Sequence, residues 1–203
     1  FRGGELAVAT NGNIVNAPDI RRKFEEQGSI FQTSSDTEVV AHLIARSKQN
    51  QLVDAVKEAL VELNGAYAFL IMTNEKLIAA RDPNGLRPFV LGKLGDAWIF
   101  ASETCAFDAI GAEYVRDIEP GELIVLDRDG MTESRFAPAG RRAVCAMEYI
   151  YFSRPDSDVD AINVHSARKR MGKQLAIEAF VDADVVTGVP DSSISAAIGF
   201  AEQ

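Results

Sequence analysis

The sequence predicts an α+β layered domain followed by the opening of an α/β domain. Three observations predict it. Apolar residues recur at helical period between about residue 18 and Leu63, then short strand-like runs separated by turn residues follow from Ala66 to Phe136. After residue 140 the order changes to helix, strand, loop and helix, the build of an open α/β domain.

Taken in order, Leu6 to Ala9 reads as a short strand running into a turn at Asn11-Gly12-Asn13, where glycine permits unusual backbone angles. Pro18 opens a helix that runs to about Gln27 and stops at Gly28. Ser35 and Glu38 have capping-box spacing ahead of a helix carrying Val39, Val40, Leu43 and Ile44. A further helix covers Leu52 to Leu63. Ala66 to Met72 is a continuous apolar run, the pattern of a strand buried on both faces. Strands follow at Leu77–Ala80, Phe89–Leu91, Trp98–Ala101, Leu123–Leu126 and Met131–Phe136, with Asp129-Gly130 as a hairpin turn and a short helix at Thr104–Ile110. Ala137 to Arg142 is small and basic, the best linker candidate. Beyond it come Tyr149–Phe152, a polar loop to Asp160, a helix from about Ser166 to Phe180, a short strand at Asp184–Gly188, a loop and a helix from Ser192.

The 203 residues carry 21 Lys+Arg against 30 Asp+Glu, a formal charge of -9, which disfavours general binding of nucleic acid. No apolar run reaches the ~20 residues of a membrane helix, and no secretory leader is evident. The two cysteines, Cys105 and Cys145, make no disulfide framework and suggest a reducing, cytoplasmic setting. Phe1 in place of Met, and an end inside a helix, lead us to expect a piece of a longer protein cut at both ends.

Four segments carry polar chemistry. Asn11-Gly12 can present a side-chain amide and a backbone N–H to a developing oxyanion, or be a plain turn. In Ser34-Ser35-Asp36-Thr37-Glu38, helix capping accounts for Ser35 and Glu38, while Asp36 could hold an ammonium. Arg81-Asp82-Pro83-Asn84-Gly85-Leu86-Arg87-Pro88 reads as an internally paired corner that braces the sheet. Gly188-Val189-Pro190-Asp191-Ser192-Ser193, at the end of the expected strand, presents N–H groups and hydroxyls to an anion, with Ser192 as a simple N-cap as the competing account. Cys105 reads as a core residue and Cys145 lacks a Cys-x-x-Cys partner. The helix with Arg168, Lys169, Arg170 and Lys173 is either a solvated face or a phosphate patch, and no Ser-His-Asp arrangement follows from His42 and His165.

Together these segments resemble the glutamine phosphoribosylpyrophosphate amidotransferases. Asn11-Gly12-Asn13, Thr33 to Glu38, Asn64-Gly65-Ala66-Tyr67-Ala68, Arg81 to Pro88 and Ala101-Ser102-Glu103-Thr104 match the class II glutaminase pattern, and Met147 to Ser157 with Gly188 to Ser193 match this family in particular. The resemblance implies an N-terminal-nucleophile fold, an αββα four-layer sandwich, over residues 1–140, with a phosphoribosyltransferase domain beginning at 141–203. It implies Asn11 and Gly12 as oxyanion hole and Asp36 as the holder of glutamine's α-amino group. Val189, Pro190, Asp191, Ser192 and Ser193 become the pyrophosphate loop, with Ser192 toward Mg2+. Cys145 matches a ligand of the [4Fe-4S] cluster in the Bacillus-like branch.

Glutamine and phosphoribosylpyrophosphate are then the substrates, in the first committed step of purine synthesis. Purine nucleotides are expected as inhibitors and a homotetramer as the assembly. The family's nucleophile is an amino-terminal Cys that this chain lacks, so the polypeptide as given is expected to be inactive. Another class II amidotransferase, or a non-catalytic binding module of the same fold, are the alternatives.

Overall fold

The computed structural model describes residues 5–203; Phe1 lies outside them. The chain forms two compact units, one running up to Arg87 and resuming at Ile118–Ala143, the other made of Pro88–Asp117 and Val144–Gln203.

The first unit is a five-stranded antiparallel sheet with three helices. Strands β1 (Ala7–Ile14), β2 (Gly65–Met72), β3 (Leu77–Arg81), β7 (Glu122–Asp127) and β8 (Gly130–Arg135) lie in the order β1-β2-β3-β7-β8. Helices α1 (Ala17–Glu26), α2 (Glu38–Arg46) and α3 (Leu52–Val61) close the core. Their apolar stripes, Ile20 and Phe24, Val39, Val40 and Ile44, Val56 and Leu60, pack on Tyr67, Phe69, Ile71, Ile78, Ala80, Leu123 and Val125. Those sheet residues alternate along each strand, as one face of a pleated sheet must. The opposite face is also buried at Ala68, Ala79 and Ile124, which is why the 66–72 run is apolar without alternation.

Two expectations are corrected here. Asn11-Gly12-Asn13 is not a turn: pairing with β2 runs unbroken from Ala7↔Met72 to Ile14↔Gly65. Gly12 does adopt a positive φ of 149°, and a Cβ there would stand 2.0 Å from the Ala66 carbonyl oxygen. Glycine is required by close approach of two backbones rather than by a reversal of the chain. The capping box is also different. Ser35 accepts from the Thr37 N–H (3.2 Å), while the Glu38 carboxylate reaches farther back, to the N–H groups of Gln32 (2.7 Å) and Thr33 (2.8 Å).

In the second unit, β4 (Val90–Leu94), β5 (Ala97–Ala101) and β6 (Glu113–Asp117) form a sheet in the order β5-β4-β6, with α4 (Cys105–Ile110) inserted before β6. Phe107 of α4 is buried against Gly92, where a Cβ would come within 2.8 Å of its ring. A π-helical turn at Glu148–Phe152, a two-residue hairpin of β9 (Asp158–Val159) and β10 (Ile162–Asn163), and helices α5 (Val164–Glu178) and α6 (Ile194–Ala201) complete the unit. Asn163 caps α5, its side chain accepting from the Ser166 N–H at 3.0 Å. The two long helices meet backbone to backbone: a Cβ on Gly172 would lie 1.9 Å from the Ala196 carbonyl, and one on Gly199 2.0 Å from that of Lys169.

The expected strand at Asp184–Gly188 does not form. No strand lies beside it among the described residues, so its backbone has no ladder to join, and Val185 is exposed.

Candidate functional site

Asn11 and Asp36 come from separate elements that the first unit draws together. Asn11 sits in β1 opposite Ala68, which in turn faces Arg81, so the three share one row across the sheet. That row is on the face away from the α1–α3 core, since Ile14, three residues on, packs into the core. Asp36 lies in the loop before α2. Its Oδ2 accepts the Ile14 N–H at 2.8 Å, which ties the loop to the end of β1. Among the described residues its Oδ1 accepts only from the Thr37 hydroxyl, at 3.4 Å. One carboxylate oxygen thus holds the loop and the other retains capacity for a cationic ligand.

The Arg81–Pro88 corner is internally paired, as the sequence suggests. The Arg81 side chain, 2% exposed, donates to the carbonyls of Ile118 (2.7 Å), Arg87 (2.8 Å) and Gly85 (3.0 Å). The fully buried Asp82 carboxylate accepts from the N–H groups of Asn84 (2.9 Å), Leu86 (3.0 Å) and, more weakly, Tyr67 and Arg87. The 137–142 segment is stitched to the same corner, with Gly140 N–H on Pro83 O (2.7 Å) and Asn84 Nδ2 on Arg141 O (3.1 Å).

His42 is accounted for without chemistry. It stacks on Phe31 with ring centroids 4.1 Å apart and lies 3.8 Å from Glu38. Hydrogen bonds from the Thr33 hydroxyl, then from the Gln32 and Thr33 backbone, pull the Glu38 pKa down to about 2.

The Val189–Ser193 loop leads into α6. The N-cap position falls at Ser193 rather than Ser192, and the Ser193 hydroxyl donates to the Val189 carbonyl instead of capping a helical N–H. The Ser192 hydroxyl makes no hydrogen bond among the described residues. It is therefore available to an incoming ligand. Mg2+ retains waters and substrate phosphates as most of its ligands, so one free hydroxyl beside Asp191 fits a supplementary role.

Three of the four basic side chains of α5 are engaged within the protein, and Arg170 is exposed. Arg168 is buried and donates to the carbonyls of Tyr149 (2.6 Å) and Ser153 (2.7 Å), and burial lowers its pKa. Lys169 and Lys173 pair with Glu202 at 2.6 and 3.1 Å.

Cys105 is half-buried at the start of α4 rather than in the core, its Sγ 3.8 Å from a Glu103 carboxylate oxygen. Cys145 is half-buried ahead of the π-helical turn. A four-iron cluster takes four thiolates, and among the described residues no three His, Cys, Asp or Glu side chains converge. The residues present do not by themselves fit such a cluster.

Sequence reasoning missed Glu103 as a site residue. Its carboxylate accepts from the Ser157 hydroxyl and the Arg154 N–H, both at 2.8 Å. Its only sequence signal was membership of the Ala101–Thr104 motif.

Residues 1–109 match the family model described as a glutamine amidotransferase domain. The chain is 62% identical over 199 residues to the amidophosphoribosyltransferase of Bacillus subtilis (strain 168), covering 98% of this chain and 42% of that protein. It is 49% identical over 204 residues to the enzyme of that name from Staphylococcus aureus (strain Mu50), covering all of this chain and 41% of the relative. The chain thus spans about two fifths of the length of the curated relatives it matches. The solved structure of glutamine phosphoribosylpyrophosphate amidotransferase from B. subtilis complexed with ADP and GMP superposes with a TM-score of 0.95 at 61% identity, covering 100% of this chain and 44% of that one.

Proposed function

The chain belongs to the glutamine amidotransferase domain family, and from that premise we propose that it is part of an amidophosphoribosyltransferase. The complete protein would convert glutamine, phosphoribosylpyrophosphate and water to 5-phosphoribosylamine, glutamate and pyrophosphate, committing material to purine synthesis. The identity and structural match along the whole chain support this reading. In this proposal residues 1–140 belong to the glutaminase domain and 141–203 open the transferase domain.

The observation that carries the glutaminase half is the bond from Ile14 N–H to Asp36, which anchors an acidic residue to the strand bearing Asn11 and Gly12. Asp36 then binds the α-ammonium of glutamine through its second oxygen. Asn11 and Gly12 donate to the oxyanion formed when a Cys thiolate, supplied by sequence outside this chain, attacks the amide carbon. The tetrahedral intermediate collapses to a thioester and releases ammonia, and water frees glutamate. Ammonia reaches C1 of phosphoribosylpyrophosphate without meeting solvent, where it would be protonated. The loop of Val189, Pro190, Asp191, Ser192 and Ser193 holds the leaving pyrophosphate, the donors being the N–H groups of Val189, Asp191, Ser192 and Ser193 and the Ser192 hydroxyl, while Pro190 offers none. Mg2+, when bound, offsets the charge of that leaving group, with Ser192 the hydroxyl that would reach it. Cys145 would supply one of four thiolates to a [4Fe-4S] cluster, and no step passes through it. The match to a structure complexed with ADP and GMP supports purine nucleotides as inhibitors. A cytoplasmic homotetramer completes the proposal; no helix among the described residues is long and apolar enough to cross a membrane.

The test is Asn11→Ala in the full-length protein. Loss of one oxyanion donor should cut glutamine-dependent turnover by ~100-fold or more and leave ammonia-dependent turnover in place. Equal loss of both would remove Asn11 from that role.

A further inference from the structure

The first turn of α6 carries a buried hydroxyl whose partner lies on α5. Ser195, 5% exposed, has its Oγ 2.8 Å from Nδ1 of the half-buried His165, the second residue of α5. His165 is itself fixed in place. Its N–H donates to the Pro155 carbonyl (2.9 Å), and the preceding Val164 N–H donates to that of Ser157 (3.0 Å). On the other side of Ser195 the Val189–Ser193 loop folds back onto the same turn. The Ser193 hydroxyl donates to the Val189 carbonyl, the Ile194 N–H donates to the Asp191 carbonyl (3.4 Å), and a Cβ on Gly188 would stand 3.0 Å from Ile194 Cα. The loop thus takes its shape from the first turn of α6. The close approaches at Gly172 and Gly199 set the distance between α5 and α6, but such contacts are not directional; the His165–Ser195 hydrogen bond is.

We propose that His165 is a positioning residue for phosphoribosylpyrophosphate: through Ser195 it holds the first turn of α6 in the orientation that shapes residues 188–193 for the pyrophosphate. The inference rests on the proposed function, because it gives the bond a task only if that loop binds pyrophosphate. His165 touches no substrate in this scheme. Without its imidazole the two helices keep their separation through the glycine contacts, but the first turn of α6 is free to rotate about its axis. The loop, bonded to that turn, rotates with it, and N–H groups that converge on one anion diverge. The loss falls on ground state and transition state alike, so it raises KM and leaves kcat in place. A brace serving stability alone predicts instead a lower unfolding temperature with an unchanged KM.

The experiment uses the full-length protein with ammonia as nitrogen donor and measures kcat and the KM for phosphoribosylpyrophosphate, alongside thermal unfolding. His165→Leu keeps the bulk and removes Nδ1. Its KM should rise about three- to tenfold, the range set by one neutral hydrogen bond, with kcat near wild type. His165→Asn puts an amide where Nδ1 stood and should return KM close to wild type, while His165→Gln, whose amide lies where Nε2 stood, should not. Ser195→Ala should raise KM by the same factor, and adding His165→Leu to it should change little, since both remove one bond. An unchanged KM in His165→Leu, a rise that Asn does not reverse, or an equal rise in the KM for glutamine overturns the proposal. If His165→Leu does not fold, Ser195→Ala decides alone on the same KM. Wild-type protein that forms no pyrophosphate from ammonia and phosphoribosylpyrophosphate would overturn the functional reading itself, a result separable from an unchanged KM in an active enzyme.

Discussion

Asp36 divides its two oxygens between structure and ligand, and a single substitution separates the two duties. Asp36→Asn keeps a carbonyl oxygen for the Ile14 N–H (2.8 Å). It replaces the other oxygen, which accepts from the Thr37 hydroxyl at 3.4 Å, with an NH2 that cannot accept from an ammonium. A hydrogen bond to a charged partner contributes about 1.5–3 kcal/mol net. At about 1.4 kcal/mol per factor of ten, glutamine kcat/KM should drop about 10- to 150-fold. Thermal stability should stay near wild type, and ammonia-dependent turnover should be unaffected. Asp36→Ala removes both oxygens and leaves the buried Ile14 N–H without its partner, adding about 1–3 kcal/mol of destabilisation to the same kinetic loss. Steady-state kinetics with glutamine and with ammonia, and thermal unfolding of each variant, supply the numbers needed. Wild-type glutamine kinetics in Asp36→Asn would refute the ligand role, and loss of ammonia-dependent turnover would show that the loop acts elsewhere.

Asp82→Ala should destabilise the protein by about 2–6 kcal/mol, seen as a lower urea midpoint, because the N–H groups of Asn84 and Leu86 lose their shortest partner inside a buried corner; a midpoint unchanged from wild type would mean that the corner holds itself through Arg81 alone. Glu38 contributes to acid stability with a definite sign: its pKa falls from 4.5 to about 2 on folding, so its contribution is complete above 4.5 and disappears as pH falls through 2. Replacing it with Gln should flatten the unfolding profile in that window while leaving the profile near neutrality parallel to wild type.

The strands were legible where burial is two-sided. Ala66 to Met72 could be placed because neither face meets water, and an apolar run of strand length bounded by turn residues is what a doubly covered strand requires. β6 was missed for the opposite reason. Glu113, Tyr114 and Val115 are exposed and the strand pairs on one side with β4 alone, so no alternation marks it. Asp184–Gly188 failed in the reverse direction. Its β-branched residues satisfy local propensity, but a strand is a relation between two segments, and no second segment lies beside it among the described residues. The capping box failed because Ser35 and Glu38 each found a different N–H within reach, which spacing alone cannot rank.

The site divides along the same line. Gly12 announced itself in the sequence as a residue that must lack a side chain, but a reversing turn and a close crossing of two strands make the same demand. Only the partner strand distinguishes them: Gly65 on β2 is the counterpart, where a Cβ would sit 2.2 Å from the Asn13 carbonyl, so both strands shed their side chains to meet. Asp36 could be suspected as an ammonium ligand from its charge, whereas its bond to Ile14 across twenty-two residues leaves no local trace. Glu103 is the extreme case. Nothing within helical or strand range of it explains an acidic residue there, because among the described residues the partners of its carboxylate lie beyond residue 150 apart from the neighbouring Cys105 thiol. A local motif can therefore name Glu103 and still not say what it does.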